Sequence, residues 1–273
     1  MQHVWYFLQV ALYPLAAILV CGLAVWACQR LFVKLLGGGV GFKIVMGSSI
    51  IGTPVHELGH AIMCPLFGHK ITKLVLWQPR TADGTLGYVN HTCNPRNLYH
   101  RLGDLFIGVG PIFSGLAVLS ASLFFAFPNT WNAYFTSAVS LVESNASVAD
   151  IFLSGLHILP NMIAEFGSAS FPIWGRILLV LVMLSVSLHI NLSPADIKGA
   201  LSALPLYLGL ALLVTVITTL IGTAATKPVL AGLEVFNAFM MAVFTVVLVF
   251  AALLVALALL VWLLRRLFSL IRK

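Results

Sequence analysis

The sequence predicts an all-α integral membrane protein: about six transmembrane helices with a short β-hairpin at the membrane surface. Three observations predict it. Hydrophobic residues make up 60% of the 273 and charged residues only 8%, where a soluble domain carries about 25% charged residues. The apolar residues gather in runs of about 20, the length that crosses a bilayer core. Basic residues cluster at the ends of those runs, where topology accounts for them. The net charge of +7 is therefore no nucleic-acid signal, since no basic patch is interleaved with aromatics. The expected surroundings are the lipid bilayer.

Residues 4–27 form the first expected span. No basic segment precedes it, so it reads as a retained helix rather than a cleaved signal. Gln29, Arg30, Lys34 and Gly37 to Gly39 read as a flexible basic connector. Residues 42–67 form the second span and carry His56-Glu57-Leu58-Gly59-His60, an H-E-x-x-H pattern. On a helix, positions i and i+4 lie about 40° apart, so both imidazoles can share one metal ion. Glu57 beside them can take a proton from a water at that metal and pass it to a leaving group. Short H-E-x-x-H matches also occur on ordinary helix surfaces. Here the flanks are apolar, and a charged residue at a bilayer centre costs roughly 3 kcal/mol, which favours a functional reading. Pro54 is expected to kink this helix, and Gly47, Gly52 and Gly59 to let it pack closely. Cys64, one turn after His60, is a further possible ligand, though packing explains it more simply. Cys21, Cys28, Cys64 and Cys93 imply no disulfide framework.

Residues 71–77 and 85–89 have strand composition around an Asp83-Gly84 turn, giving the hairpin. Its edge could pair with an extended substrate; it could equally be a plain surface hairpin. Residues 102–127 form the third span, with a small-residue face of Gly108, Gly110, Pro111, Ser114 and Gly115. Residues 128–172 are mixed. Ser147 to Asp150 forms a capping box opening an amphipathic helix, with Ile151, Phe152, Leu156 and Leu159 on the apolar side and Pro160 at its end. The sequon at Asn145 is a weak match. Residues 173–192, 206–221 and 235–264 are the last three spans, followed by Arg265, Arg266, Arg272 and Lys273.

Six crossings put both termini, the hairpin and Asp196 on one face. Lys70, Lys73, Arg80, Arg96, Arg101, Lys198 and the basic end lie there, against Arg30, Lys34, Lys43 and Lys227 opposite. The positive-inside rule then makes the hairpin and both termini cytoplasmic, in a multi-pass protein of the plasma (inner) membrane. His56, His60 and Asp196 fall at one depth.

A catalytic zinc needs three protein ligands and an open position. His189, Asn191 and Asp196 are the candidates for the third. Asp196 offers an oxygen at a helix end, but could cap that helix with Ser193 or pair with Lys198. His189 could ligate. Alternatively His189 and Asn191 could bind substrate or stabilise a developing oxyanion.

The segment around His56 and His60 resembles the first core helix of the site-2 protease family, the intramembrane zinc metalloproteases. Gly110-Pro111 resembles the Gly-Pro element of the family's next helix, with Ser114 where Asn often stands. Asn191, Pro194 and Asp196 resemble its Asn…Pro…Asp-Gly motif, at shorter spacing and with Gly199 not directly after the Asp. The resemblance covers residues 42–199. It implies Zn²⁺ as cofactor, Asp196 ahead of His189 as third ligand, and Glu57 as the catalytic base. It also implies a metalloprotease core, residues 42–199, in a single membrane domain 1–273 with additional helices over 200–273. The substrate would be a transmembrane protein or peptide, locally unwound and cleaved by metal-activated water.

Two other classes use the same residues: a membrane metal-ion transporter, or a non-catalytic scaffold holding zinc. Glu57 between the two histidines favours hydrolysis. A transporter would spread acidic residues over several helices, and this chain has 8 in all.

Overall fold

The structure, a computed structural model, describes residues 2–79, 85–144 and 146–271. In order the elements are α1 (Gln2–Leu36), α2 (Gly38–Leu66), β1 (Lys70–Val75), β2 (Tyr88–Thr92), α3 (Leu98–Ala126), α4 (Pro128–Glu143), α5 (Val148–Ser154), a 3-10 turn (Gly155–His157), α6 (Ile158–Glu165), α7 (Ile173–Ser187), α8 (Pro194–Ile221) and α9 (Thr223–Ile271).

α1 runs straight through the expected connector. Phe32 and Leu36 are buried with Leu188 and Leu254, so this stretch keeps an apolar face despite Gln29, Arg30 and Lys34. The break comes at Gly37, at φ 79, a backbone conformation costly for any residue with a Cβ. α2 then folds back so closely that a Cβ on Gly41 would lie 2.8 Å from Val33 Cα. The carbonyl of Leu36, left over at the helix end, accepts from Arg265 Nη1 at 2.8 Å.

α2 and α3 run antiparallel with their backbones in contact. A Cβ on Gly59 would fall 2.5 Å from the Gly110 carbonyl oxygen, and one on Gly110 2.6 Å from that of Gly59. α2 stays one helix through Pro54. α7 and α8 descend along α3 as a single interrupted path. Arg176 at the start of α7 bonds Ala126 at the end of α3. Ile190 packs on Gly115 and the Asp196 backbone on Gly108, and further on Ala200 and Ala203 pack with Leu105. The expected fourth and fifth spans are therefore two parts of one path, broken at residues 188–193.

This changes the topology. Val10 clusters with Val229 and Leu233, Phe32 with Leu254, and Leu36 meets Arg265. α1 and α9 thus run the same way, whereas six crossings would oppose them. The two ends of the bundle lie on opposite faces. Arg265 and Arg266 do not add to the hairpin's face, and the charge bias expected to orient the chain is lost with them. Arg272, Lys273 and Arg80 lie outside the described residues.

Among the described residues, four helices are long and apolar enough to cross a membrane: Ile18–Leu36, Leu98–Ala126, Pro194–Ile221 and Thr223–Phe268. α2 matches α3 in length at 29 residues but carries Ser48, Ser49, Thr53, His56, Glu57 and His60. α7 has 15 residues and rises only about 22 Å. Leu212, Leu213, Ile217 and Leu220 of α8 face outward, as a lipid-facing surface requires.

The hairpin does not lie across a surface. β1 and β2 pair antiparallel from Lys70↔Thr92 to Val75↔Tyr88, so β2 begins beyond the start of the expected 85–89, and the Asp83-Gly84 turn lies outside the described residues. Beyond the ladder Gln78 N donates to Leu86 O at 2.7 Å, continuing the pairing. Trp77 Nε1 donates to Ser49 Oγ at 2.9 Å. Ser49 is 17 positions before Leu66, the end of α2, or about 25 Å along the helix. The hairpin therefore runs along α2 into the bundle.

Residues 128–172 hold more helix than expected. Pro128 opens α4 from its first turn, where its missing N–H costs nothing. The capping box of Ser147 and Asp150 opens α5 as expected, but Pro160 lies inside α6 rather than ending a helix. The Asn145 sequon falls outside the described residues. Two buried charges fix the corner between α3 and α4. Arg176 donates to the carbonyls of Ala126, Phe166 and Ser168. Glu165 accepts from the amides of Asn129 and Thr130 at 3.1 and 2.8 Å. A cation thus sits at the end of α3 and an anion at the start of α4, each at the helix pole that favours it.

Candidate metal centre

The H-E-x-x-H pattern lies in the last third of α2, and the helical period turns both imidazoles toward the break between α7 and α8. His60 Nε2 lies 3.1 Å from Asp196 Oδ1, and His56 Nε2 3.6 Å from Asp196 Oδ2. The ligand atoms of His56, His60 and Asp196 all fall within 4.8 Å of one another. Each ring is oriented from behind by a main-chain carbonyl: His56 Nδ1 donates to His189 O at 3.0 Å and His60 Nδ1 to Ile107 O at 2.7 Å. A proton on Nδ1 leaves the Nε2 lone pair facing the carboxylate, the arrangement by which protein carbonyls hold metal-binding histidines. Two imidazoles and one carboxylate suit a divalent transition metal and leave a position open.

Asp196 serves two purposes that the sequence posed as alternatives. Ser193 is the N-cap of α8, and Asp196 Oδ2 accepts from Ser193 N at 2.7 Å. The capping box fixes the carboxylate and Oδ1 faces His60. Among the described residues Lys198 forms no ion pair with it.

Glu57 is buried between α2 and the hairpin. A Cβ on Gly87 would lie 2.8 Å from Glu57 Cγ and 2.9 Å from Leu76 O and Thr53 Cγ2, so only glycine lets the hairpin reach this side chain. These groups line a cavity of about 900 Å³, walled by α2, residues 85–91, Asp104 and Ile107 of α3, and the 188–196 segment. β2, paired with β1 on one side, borders the cavity on the other. Burial, with His69 beside it, pushes His91 on this wall below the ordinary histidine range.

His189 and Asn191 line the cavity, but their side chains are engaged. His189 Nδ1 donates to Ser185 O at 2.9 Å while its ring lies over Gly52. Asn191 Nδ2 donates to Gln29 Oε1. His189 Nε2 and Asn191 Oδ1 are buried without a hydrogen-bond partner. His189 contributes its carbonyl to His56 instead of its ring to the metal-binding group. Cys64 is fully buried and lies outside that group.

Gln29 carries no mark in the sequence. Its Nε2 donates to Leu188 O at 2.7 Å while its Oε1 holds Asn191. One amide of α1 thus clamps the loop that orients His56. Nothing local signals this role, because its partners lie in the second half of the chain. Gly87 has a usable signal: a glycine inside a strand-like stretch flags close approach.

No protein-family model, curated protein or solved structure matches this chain.

Proposed function

We propose that this protein is a zinc-dependent intramembrane protease of the site-2 protease kind. One observation carries the reading: two helical histidines face a single carboxylate beside a buried glutamate, on a cavity at a break in a helix path. Non-helical backbone at membrane depth is tolerated only where it is buried in protein or lines a water-filled cavity. The 188–193 break has that setting.

His56, His60 and Asp196 hold the zinc, which when bound supplies Lewis acidity for a water and a peptide carbonyl. Glu57 takes a proton from the attacking water as its oxygen joins the carbonyl carbon. It returns the proton to the amide nitrogen as the C–N bond breaks. Burial of Glu57 beneath Gly87 keeps bulk water from competing for that proton. The cavity-side edge of β2 receives the substrate, a transmembrane segment unwound locally, by strand addition. Crossings by α1, α2, α3, the α7–α8 path and α9 make a multi-pass membrane protein, and five crossings account for α1 and α9 running the same way.

The test is Glu57→Gln, which keeps size but cannot act as a base. Zinc content should be unchanged while cleavage of a membrane-spanning peptide in detergent or bilayer falls by about 10²-fold or more. Unchanged cleavage would sink the mechanism. A metal transporter would instead show altered metal movement and no hydrolysis in either form.

A further inference from the structure

A second set of metal-binding side chains converges where the hairpin meets α3. His69 leads into β1, His91 lies in β2, Cys93 follows β2, and Asp104 stands near the start of α3. The ligand atoms of His69, Cys93 and Asp104 lie within 4.8 Å of one another. His91 Nδ1 lies 2.9 Å from His69 Nδ1.

The hydrogen bonds fix which nitrogen is free. His69 Nε2 is 2.8 Å from the His100 carbonyl, which can only accept, so Nε2 carries the proton. The neutral ring then presents a lone pair at Nδ1. That lone pair faces another imidazole nitrogen, so the contact needs either a proton on His91 Nδ1 or a cation bound by both. One ring nitrogen donating to a backbone carbonyl, with the other free, is the usual state of a metal-bound histidine.

Strand register brings the group together. Lys70 pairs with Thr92, so extending the register by one residue sets His69 across from Cys93. Cys93 comes two positions after His91, just past the end of β2, where continued strand alternation sets the two on one side. α3 closes the group through Gly103, where a Cβ would lie 2.5 Å from Phe67 Cβ and 3.1 Å from His69 Nε2. His69 is only 4% exposed.

We propose that His69, Cys93 and Asp104 hold a zinc ion that fastens the hairpin to α3, with His91, in contact with His69, turning in as the fourth ligand. A thiolate and a carboxylate neutralise a divalent cation, which suits a partly buried position. Thiolate and imidazole select zinc over calcium or magnesium. Four protein ligands leave no open position, so the site is structural. It holds the strand whose other edge lines the cavity. The inference stands whether or not the protein is a protease.

Cobalt tests it on the full chain in detergent. Cobalt bound by a thiolate has a near-ultraviolet charge-transfer band, and His56, His60 and Asp196 contain no sulfur, so the band reports the second site alone. The wild type should bind two equivalents and show the band. Cys93→Ser should lose the band and one equivalent. His56→Ala with His60→Ala should lose one equivalent and keep the band. A measurement needing no variant is alkylation of Cys93, which added Zn²⁺ should slow and a chelator restore. A wild type without the band, a band surviving in Cys93→Ser, or equal alkylation with and without Zn²⁺ would each overturn the proposal.

Discussion

His56, His60 and Asp196 come from opposite halves of the chain, whereas His69, His91, Cys93 and Asp104 fall within residues 69–104. The distant group depends on orienting contacts: carbonyls of His189 and Ile107, the Ser193 capping box, and Gln29 reaching across from α1. The local group needs little beyond strand register and one glycine. The first presents three donors to a cavity; the second closes with four. A site meant to receive a substrate has to leave a coordination position empty, and its geometry must then be held from outside the ligands. A site meant to hold structure can let its ligands do the holding.

If the two groups are this independent, variants should separate them. The largest effect is expected from Gly59→Leu. Its backbone touches Gly110, so the side chain must force α2 and α3 apart, costing about 3 kcal/mol. Chemical unfolding should show that loss. Metal analysis should show the His56–His60 group emptied while the thiolate band persists. Loss of both would show that the groups share one foundation.

Gln29→Leu should act more gently. It keeps the bulk of the side chain and removes both amide contacts to Leu188 and Asn191. Competitive chelation should find zinc held about 10-fold more weakly at the His56–His60 group, with the second group unchanged. Equal affinity would mean the 188–191 loop holds itself.

The smallest effect is expected from Asn97→Ala, which removes the side chain that accepts from Tyr99 N at 2.9 Å and caps α3. The loss should be about 1 kcal/mol. It should loosen α3 near Asp104, so zinc protection of Cys93 weakens before the His56–His60 group responds.

Much of the distant group is legible in the sequence. His56, Glu57 and His60 follow the helical period, and Asp196 stands out as a carboxylate after an apolar run. Their supports are not legible there. A carbonyl from His189 and an amide from Gln29 carry no local pattern, since their roles exist only once α1, α2 and the α7–α8 path are packed. The local group presents the reverse case. His91 and Cys93 sit two apart in a strand-like stretch, a legible spacing, yet strand composition alone points to 85–89 and stops short of them. Strand limits are set by the partner strand, which the sequence does not display. The path of α7 and α8 is hidden for a related reason. Two apolar runs around a polar break look like two crossings, and only the contacts with α3 show one continuous descent.

The side-by-side packing of α1 and α9 has a consequence in time. From Leu36 to Thr223 there are 187 positions, so at about 5–20 residues per second synthesis needs about 10 to 40 s to reach the start of α9. For that interval Val25, Phe32 and Leu36 lack the neighbour that later covers them. Gln29, by contrast, is already in place when Leu188 and Asn191 emerge. The clamp on the His56 loop can therefore close before the bundle does, and the metal-binding geometry can form while the chain is still being made.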